Sequence, residues 1–586
     1  MTKLFTYLRK HRIQTILAPL FKMLEAVFEL IVPLVVARMI DFGVANRDVP
    51  YLIREGIILV LLGVIGFLAA VTAQYFSANV AVITGTSLRN DLFRHIQTLS
   101  WRQIDEIGTS TLITRMTSDI NTVQNGVNMF LRLFLRSPFV VLGAVVMAFT
   151  VDTQTALAFA VAVPVLAVIV FTILLITMPL YKNVQKKLDD VMRMARENLL
   201  GVRVVRAFNR QEDEKRAFDQ NASEYYRRQI FVGKISALLN PLTYVVINAG
   251  IIGILWIGGL RVDTGDLTRG EVIALVNYMS QILVEMIKLA NLIILLSRAI
   301  ASMKRVDAVF AMENPMKDGD APLPACPKGG VEIDFKDVTF GYEKEAAPAL
   351  DHISFHIEGG STLGIIGGTG SGKSTLVHLL GRFYDPDSGS VLLNGKDLRE
   401  MKLAWLRGRI GLVPQKAVLF AGSLRENMKW GDEEATDDEI YRALEIAQAR
   451  EFVDEKKEGL DLGIEQEGRN LSGGQRQRLT IARAMVREPE LLILDDSASA
   501  LDFATDAKLR KAIRESKGRS TVILVSQRVS TVRNSDRILV LDDGQAAGFG
   551  THQELLRSCD IYREICQSQM TEEEIAEDLG KGGDRA

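Results

Sequence analysis

The segment LGIIGGTGSGKSTLVHLLGRF (363–383) decides the fold of the C-terminal half of this 586-residue chain. It passes from a short apolar stretch through a glycine-rich loop to a helical apolar pattern. This is the motif G-x-x-x-x-G-K-[ST] in the strand–loop–helix context that a phosphate-binding loop requires. The glycines let successive backbone N–H groups point at phosphate oxygens, and the helix N-terminus adds its positive end. The segment therefore predicts an α/β nucleotide-binding domain.

Each residue type in the loop has a role in this chemistry. Lys373 is expected to reach the β- and γ-phosphates, and the Ser374 hydroxyl to bind Mg²⁺. A glycine-rich turn without a ligand is the alternative, and the strand and helix on either side of the motif disfavour it. The residues expected to contact the nucleotide are Gly367, Gly368, Thr369, Gly370, Ser371, Gly372, Lys373, Ser374 and Thr375.

A second apolar stretch, LLIL (491–494), ends at Asp495 and Asp496. A carboxylate at the carboxyl end of a parallel strand near the phosphate loop is placed to hold Mg²⁺. Asp495 is the predicted ligand. The alternative is an Asp pair that only caps the following helix.

Between these strands, LSGGQ (471–475) opens a helical pattern. Ser472 and the backbone N–H groups of Gly473, Gly474 and Gln475 would make a second anion site at a helix N-terminus. Two phosphate sites far apart in one sequence suggest that a nucleotide is held between two copies of the domain.

The N-terminal half has a different composition and explains why the mean hydropathy of the chain is as high as +0.14. Apolar runs long enough to cross a hydrocarbon core of about 30 Å follow one another there. Six in one half of the chain argue against buried helices of a soluble protein. The runs are 15–40, 55–83, 127–150, 155–180, 236–259 and 271–297.

Basic residues concentrate in segments 84–126 and 181–235, which places these segments and the N-terminus in the cytoplasm. Both segments are long and have few breakers, so we expect the membrane helices to continue into the cytoplasm. They would turn back at 108–110 and at 201–203.

Composition excludes other classes of protein. The net charge of −2 argues against a nucleic-acid-binding protein, and three unpaired cysteines argue against a disulfide scaffold or a zinc site. The Pro- and Gly-containing segment 312–330 is the predicted linker, and the charged segment 571–586 is predicted to be a frayed tail. These boundaries divide the chain into a transmembrane domain (1–311) and a nucleotide-binding domain (331–570).

On these motifs the soluble half resembles an ATP-binding-cassette (ABC) nucleotide-binding domain. The whole chain, over about residues 1–570, resembles a half-transporter of the exporter type. The resemblance implies an all-α six-helix transmembrane domain followed by an α/β P-loop NTPase domain, with ATP and Mg²⁺ as cofactors. It also implies a multi-pass protein of the bacterial inner membrane, with the nucleotide-binding domain in the cytoplasm.

The resemblance assigns further roles. Tyr342 in FGY matches the aromatic residue that stacks on adenine, and Gln415 in VPQ matches a catalytic glutamine that touches Mg²⁺ and the membrane domain. The stretch 499–502 (SALD) matches the loop that signals across the dimer. Segments 110–120 and 197–212 resemble the two cytoplasmic coupling regions.

Two catalytic positions depart from the family pattern. Asp496 stands where the family has a glutamate that polarises the attacking water, and Gln527 stands where it has a histidine that contacts the γ-phosphate. One methylene less withdraws the carboxylate by roughly 1.5 Å, and a misplacement of about 1 Å can cost on the order of a hundredfold in rate. The sequence has no histidine between His378 and His552 that could substitute.

These departures predict a degenerate site that binds MgATP and hydrolyses it slowly. The resemblance then implies a heterodimer, in which this chain's LSGGQ completes the hydrolytic site of a second, non-identical half-transporter. The complex would export amphipathic drugs or lipids across the bilayer by alternating access. The alternatives are a fully active site with tolerated substitutions, a homodimeric lipid flippase or exporter, and a regulatory membrane ATPase without transport.

Charged residues occur within three of the apolar runs. They line a polar cavity that attracts charged cargo, or form pairs within their helices, or lie where the helices have left the bilayer. The spacing of Lys22 with Glu25 and of Glu285 with Lys288 favours the interpretations without cargo contact. The charged residues in question are Lys22, Glu25, Glu29, Arg132, Arg136, Glu285 and Lys288.

Overall fold

The computed structural model describes residues 2–320, 330–343, 346–497, 500–516 and 520–580. Its contacts define two compact units. The first comprises Met1–Thr98 and Ile107–Met312, and the second comprises Leu99–Glu106 and Glu313–Ala586. The predicted linker begins where the second unit resumes, and its residues 321–329 lie outside the described part of the chain.

The described residues up to 310 are helical apart from short connections, with π-helical turns at Met39–Val44 and Arg115–Asp119. Two of the long helices begin with side-chain caps. Asp152 accepts the Thr155 N–H at 2.8 Å, and Thr268 forms a reciprocal capping box with Glu271. The α-helices are α1 (Thr2–Lys10), α2 (Arg12–Arg38), α3 (Val49–Thr98), α4 (Trp101–Ile107), α5 (Thr109–Thr114), α6 (Ile120–Leu133), α7 (Arg136–Val151), α8 (Thr153–Leu200), α9 (Val202–Ala207), α10 (Gln211–Ala237), α11 (Leu239–Asp263) and α12 (Arg269–Phe310).

Five helical stretches of the described chain are long and apolar enough to cross a membrane: Val49–Thr98, Thr109–Val151, Thr153–Leu200, Gln211–Asp263 and Arg269–Phe310. The first predicted crossing lies in α2, whose charged residues Lys22, Glu25 and Glu29 keep it outside this group. The third predicted crossing is interrupted between α6 and α7, at Phe134 and Leu135. The helical transmembrane fold is confirmed, but five of the described helical stretches, rather than the six predicted, are long and apolar enough to cross a membrane.

Several helices extend well beyond the apolar runs. The 50 residues of α3 and the 48 residues of α8 correspond to lengths of about 70–75 Å at 1.5 Å per residue. The predicted turns coincide with helix boundaries, because Gly108 separates α4 from α5 and Gly201 separates α8 from α9. Gly108 has a φ of 78°, a conformation that glycine adopts without a steric penalty.

Charged side chains connect three helices inside the first unit. Arg136, at the start of α7, donates to Glu285 of α12 at 2.6 Å and to Glu29 of α2 at 2.5 Å. The Ser137 hydroxyl donates to the second Glu285 oxygen at 2.8 Å, and Lys288 donates to the first oxygen at 2.8 Å. Arg136 and Glu285 are almost completely buried. The cluster therefore joins α2, α7 and α12, in addition to forming the intrahelical pairs expected from the sequence.

The second unit is an α/β fold built on a six-stranded sheet. Its strand order is β12-β11-β3-β10-β9-β6, with β12 antiparallel and the other strands parallel. A four-stranded antiparallel sheet, β2-β1-β4-β5, and a small β7-β8 pair complete it. The strands are β1 (Ile333–Phe340), β2 (Leu350–Ile357), β3 (Thr362–Gly367), β4 (Ser388–Leu393), β5 (Lys396–Asp397), β6 (Ile410–Val413), β7 (Gly422–Ser423), β8 (Gly463–Ile464), β9 (Leu491–Asp495), β10 (Thr521–Val525), β11 (Arg537–Asp542) and β12 (Gln545–Gly550).

The central strands are mostly apolar, as expected where both faces of a sheet are buried. Ile493 and Ile523 pack in one core, whereas Leu492 and Leu524 pack in another core on the opposite face. The helices of this unit are α13 (Lys373–Leu380), α14 (Leu403–Arg409), α15 (Leu424–Lys429), α16 (Asp437–Ile446), α17 (Arg450–Asp454), α18 (Gly473–Val486), α19 (Phe503–Glu515), α20 (Val529–Val532), α21 (His552–Ser558), α22 (Asp560–Gln567) and α23 (Glu572–Gly580).

Residues Glu572–Gly580 of the C-terminal segment form a helix, so the prediction of a frayed tail is wrong for α23. Ile575 and Leu579 pack against a core that contains Tyr562. Asp578 approaches His552 Nε2 at 3.2 Å. The charged composition of the segment does not indicate the apolar contacts of Ile575 and Leu579 or the burial of Asp578.

The short segment Leu99–Glu106 belongs to the second unit by its contacts. The Trp101 ring stacks on Phe383 with centroids 4.4 Å apart, and Arg102 donates to the Gly341 carbonyl at 2.8 Å. The Tyr384 hydroxyl donates to Asp105 at 2.6 Å. Segment 110–120, which resembles a coupling region by sequence, begins after this docked segment and belongs to the first unit.

Removing the shared carboxylate of the charge cluster should destabilise the first unit. We expect Glu285→Ala to lower its unfolding free energy by about 3 kcal/mol, because Arg136 loses its best-buried partner. Lys288→Ala is the matched control, since that side chain is 41% exposed and its loss should cost under about 1 kcal/mol. Thermal unfolding of the detergent-solubilised chain measures both, and equal midpoints for the two variants would contradict the prediction.

Breaking the Tyr384–Asp105 contact should loosen segment Leu99–Glu106. We expect Asp105→Ala to raise amide hydrogen exchange in residues 101–107 several-fold, because a side-chain hydrogen bond contributes about 1 kcal/mol. Mass-spectrometric exchange on the full chain measures this. Glu106→Ala, at an exposed neighbouring position, should leave exchange near that of the unaltered protein.

Candidate functional site

The candidate site lies where the carboxyl ends of neighbouring parallel strands meet. β3 pairs with β10, β10 pairs with β9, and β9 pairs with β6, all in parallel. Their ends therefore bring Gly367, Val525, Asp495 and Val413 to one edge of the sheet. In open α/β sheets this edge is where ligands bind.

The loop after β3 has the backbone that phosphate binding requires. Gly370 and Gly372 have φ values of 85° and 95°, which only glycine adopts readily. A Cβ added at Gly368 or Gly370 would meet no atom within 4 Å, whereas one at Gly372 would lie 2.5 Å from the Ala349 carbonyl oxygen. The first two glycines thus leave open space over the loop, and the third allows close packing beneath it.

Lys373 begins α13 with its ammonium group buried in the loop. It donates to the Gly367 carbonyl at 2.9 Å and lies 3.2 Å from the Ser371 hydroxyl. Burial lowers the pKa of Lys373, and the nearby Asp496 and Asp495 carboxylates oppose that effect. The ammonium is therefore largely removed from solvent and is bonded to the loop itself, including the Gly368 carbonyl.

A cleft of about 330 Å³ opens over the loop and brings together most of the residues predicted from the sequence. Ala349 and Val525 also line it and were not predicted, because a small apolar side chain carries no motif. The lining residues are Tyr342, Ala349, Thr369, Gly370, Ser371, Gly372, Lys373, Ser374, Thr375, Gln415, Asp495, Asp496, Val525 and Gln527.

Ser374 and Asp495 form a pair of oxygen donors. The Ser374 hydroxyl donates to Asp495 Oδ1 at 3.2 Å, and Asp495 is the last residue of β9. Burial raises the pKa of Asp495, and the hydrogen bond from Ser374 opposes that shift. A hydroxyl and a carboxylate at this spacing are the ligand types that Mg²⁺ prefers, so the pair fits the cation.

Asp496 has an unusual backbone for a residue with a side chain. Its φ of 44° lies in the left-handed region, which aspartate tolerates better than most residues. Its N–H donates to the Val525 carbonyl at 3.0 Å, which ties the end of β9 to β10. Burial raises the pKa of Asp496, while Arg528, Lys373 and a hydrogen bond with Gln415 oppose the rise. Asp496 and Gln415 therefore face each other across the cleft.

Tyr342 and Gln527 lie on other parts of the cleft rim. The Tyr342 hydroxyl is 3.1 Å from the Thr375 hydroxyl, and Tyr342 is 45% exposed. Gln527 follows β10 in an exposed loop. Ser526, just before it, donates its N–H to the Ile365 carbonyl of β3 at 3.0 Å, so the loop is joined to the central sheet.

The signature residues lie elsewhere. Ser472 caps α18 and forms a capping box with Gln475, whose N–H reaches the Ser472 hydroxyl at 3.2 Å. Ser472 and Gly473 are exposed, and of residues 472–475 none is among those that line the cleft. Of the stretch 499–502, Ser499 lies outside the described residues.

Both halves of the chain match models of known protein families. The family model described as "ABC transporter transmembrane region" matches residues 15–286, and the one described as "ABC transporter" matches residues 350–499. An uncharacterized ABC transporter ATP-binding protein of Mycobacterium tuberculosis is 36% identical over 570 residues, which cover 96% of this chain and 97% of the relative. An ATP-dependent lipid A-core flippase of Vibrio parahaemolyticus is 29% identical over 575 residues, with coverages of 97% and 98%.

Among solved structures, a bacterial Atm1-family ABC exporter with ATP bound has a similar fold. The TM-score is 0.78 at 24% identity, with 96% of this chain and 99% of the other covered. The chain has the phosphate loop and the helical spans of an ABC transporter. A relative of nearly equal length that is named as an ABC transporter protein is 36% identical to it. This chain belongs to the ABC transporters and joins a helical transmembrane region to a nucleotide-binding domain that binds and hydrolyses ATP to drive transport.

Proposed function

We propose that this chain is the degenerate-site subunit of a heterodimeric exporter of amphipathic molecules. Its own site binds MgATP and hydrolyses it slowly, and its LSGGQ segment completes the hydrolytic site of a non-identical half-transporter. The observation that carries the proposal is that Asp496 and Gln527 line the same cleft as Lys373 and Asp495. The two substituted residues thus belong to one site, whose nucleotide-holding residues are retained.

The residues divide into two groups by what they do. Lys373 and the loop N–H groups hold the phosphates, Ser374, Gln415 and Asp495 would hold Mg²⁺, and Tyr342 stacks on the base. None of these functions needs a residue that abstracts a proton. ATP in this site therefore favours the closed state of a dimer for as long as it stays bound.

The hydrolytic group is altered. The Asp496 carboxylate starts from a fixed backbone, because its N–H is bonded to Val525, so the chain cannot advance it to replace the missing methylene. Gln527 can donate and accept hydrogen bonds but has no ionisable proton. Water that attacks the terminal phosphate would be poorly oriented, which is the physical reason for slow turnover.

The exposed N-terminus of α18 is suited to bind the nucleotide in the site of a partner subunit. Ser472 and Gly473 present a helix N-terminus away from the chain's own cleft, and such an end binds phosphate. Six membrane crossings, with α2 as the first, would place the second unit in the cytoplasm.

A homodimeric lipid flippase is the second candidate function. It is favoured by relatives of similar length that are named lipid A-core flippases. In that case two identical sites, each with Asp496 and Gln527, would have to sustain turnover. A regulatory ATPase without transport is a third candidate, and the full-length match to transporters gives it less support.

Restoring the family residues should speed hydrolysis. We expect the double variant Asp496→Glu, Gln527→His to raise the ATPase rate of the purified chain by on the order of a hundredfold, because the water-orienting carboxylate and the phosphate contact are regained. Steady-state phosphate release measures the rate, and adding Lys373→Ala should abolish the gain. A fast rate in the unaltered chain, or an unchanged rate after Asp496→Asn, would contradict a degenerate site.

The composition of the complex distinguishes a heterodimer from a homodimer. We expect native mass spectrometry of the transporter purified from its own membrane to show one copy of this chain with one different half-transporter. In that complex Ser472→Ala should lower ATP turnover at least tenfold by weakening the partner's site. A stable complex of two copies of this chain with full transport activity would favour the flippase instead.

A further inference from the structure

The loop that carries Gln527 is held by the side chain of a glutamine that follows α22. Gln569 follows α22, and its side-chain carbonyl oxygen accepts the Val529 N–H at 2.8 Å. Its side-chain NH₂ group donates to the Gln527 carbonyl at 2.8 Å. One carboxamide thus binds the backbone on both sides of Arg528.

The chemistry of this contact needs an amide. The backbone N–H of Val529 can only donate and the Gln527 carbonyl can only accept, so one orientation of the Gln569 amide satisfies both. A carboxylate would keep the first bond and turn its second oxygen towards a carbonyl. A shorter side chain would lose both bonds.

The Gln569 backbone is itself fixed. Its N–H donates to the Cys566 carbonyl at 3.0 Å, and the next N–H donates to the same carbonyl at 2.8 Å. Cys566 is fully buried in one core with Val529 and Val532 of α20. The end of α22 is therefore a rigid support for the loop.

Two further hydrogen bonds hold the loop. The Ser526 N–H is bonded to Ile365, and the Arg528 N–H donates to the Ser526 hydroxyl at 3.0 Å. The first bond lies at the end of β10 and the second holds the N–H of the Gln527–Arg528 peptide, whereas Gln569 holds the carbonyl of that peptide and the Val529 N–H at the start of α20. Without it, the peptide that bears the Gln527 carbonyl would keep only the bond from its Arg528 N–H to the Ser526 hydroxyl.

We propose that Gln569 is a positioning residue for the nucleotide site, because its carboxamide holds the Gln527–Val529 backbone and so directs the Gln527 side chain into the cleft. The inference rests on the proposed function in one respect, namely that Gln527 faces the terminal phosphate of ATP. A ligand without that phosphate does not reach Gln527 and is insensitive to the state of the loop.

The test compares two nucleotides on the detergent-solubilised full chain by calorimetry: the magnesium complex of the non-hydrolysable ATP analogue AMP-PNP, and MgADP. Gln569→Ala should weaken AMP-PNP binding about three- to tenfold, as expected for one to two lost hydrogen bonds, and change MgADP binding less than about twofold. Gln569→Glu should also weaken AMP-PNP binding more than MgADP binding, because a carboxylate can accept the Val529 N–H but cannot donate to the Gln527 carbonyl. Gln567→Ala, at an exposed position two residues earlier, is the matched control and should change neither affinity.

A merely structural role would weaken both nucleotides alike, and that result would overturn the inference. In a Gln527→Ala background, Gln569→Ala should add nothing to the loss of AMP-PNP affinity, and additive losses would also overturn it. If Gln527→Ala matters and Gln569→Ala does not, this inference alone fails. If Gln527→Ala leaves AMP-PNP binding unchanged, the assignment of Gln527 to the terminal phosphate fails, and this inference fails with it.

Discussion

The nucleotide site depends on one buried ammonium group. Lys373 is removed from solvent by the loop that precedes it and is compensated by the loop's own carbonyl oxygens. That arrangement is possible only because Gly370 and Gly372 take left-handed backbone conformations, which bend the chain around the side chain. The parallel strands then bring Asp495 and Asp496 close enough to act on the same charge. The cleft follows from these constraints.

Asp496 and Gln527, the two departures from the family pattern, do not disturb the backbone that forms the cleft. The contact that ties Asp496 to its neighbours is made by its backbone N–H, and the loop at Gln527 is joined to β3 through Ser526. A change of side chain at either position therefore does not disturb the sheet edge. In the function proposed above, binding and hydrolysis are separable for this reason, since binding would use the loop and hydrolysis would use the ends of two side chains.

The transmembrane region solves a different electrostatic problem. Charges within apolar runs are costly unless they are paired, and here Arg136 lies between carboxylates from two other helices. The charged residues of α2 make this helix more polar than the five helical stretches that are apolar enough to cross a membrane. Even so, α2 packs against helices of that group. Pairing between helices, rather than hydropathy of one helix, stabilises these residues.

Much of the site could be predicted because its motifs are local. The phosphate loop and the Asp pair each consist of residues that are consecutive in sequence, so the strand–loop–helix pattern and the strand end identify them without a fold. The apolar runs likewise predict helices, because length and composition decide membrane insertion.

Contacts between distant residues could not be predicted in this way. Arg136 and Glu285 are 149 positions apart, and Gln569 is 40 positions from Val529. The docking of Leu99–Glu106 and the helix α23 were missed for the same reason, since the contacts of such a segment are made with residues distant in sequence. The sequence by itself determined which chemistry this chain carries, because short motifs suffice for that. Only the tertiary structure decided which side chains support it, because packing alone brings together residues that carry no motif.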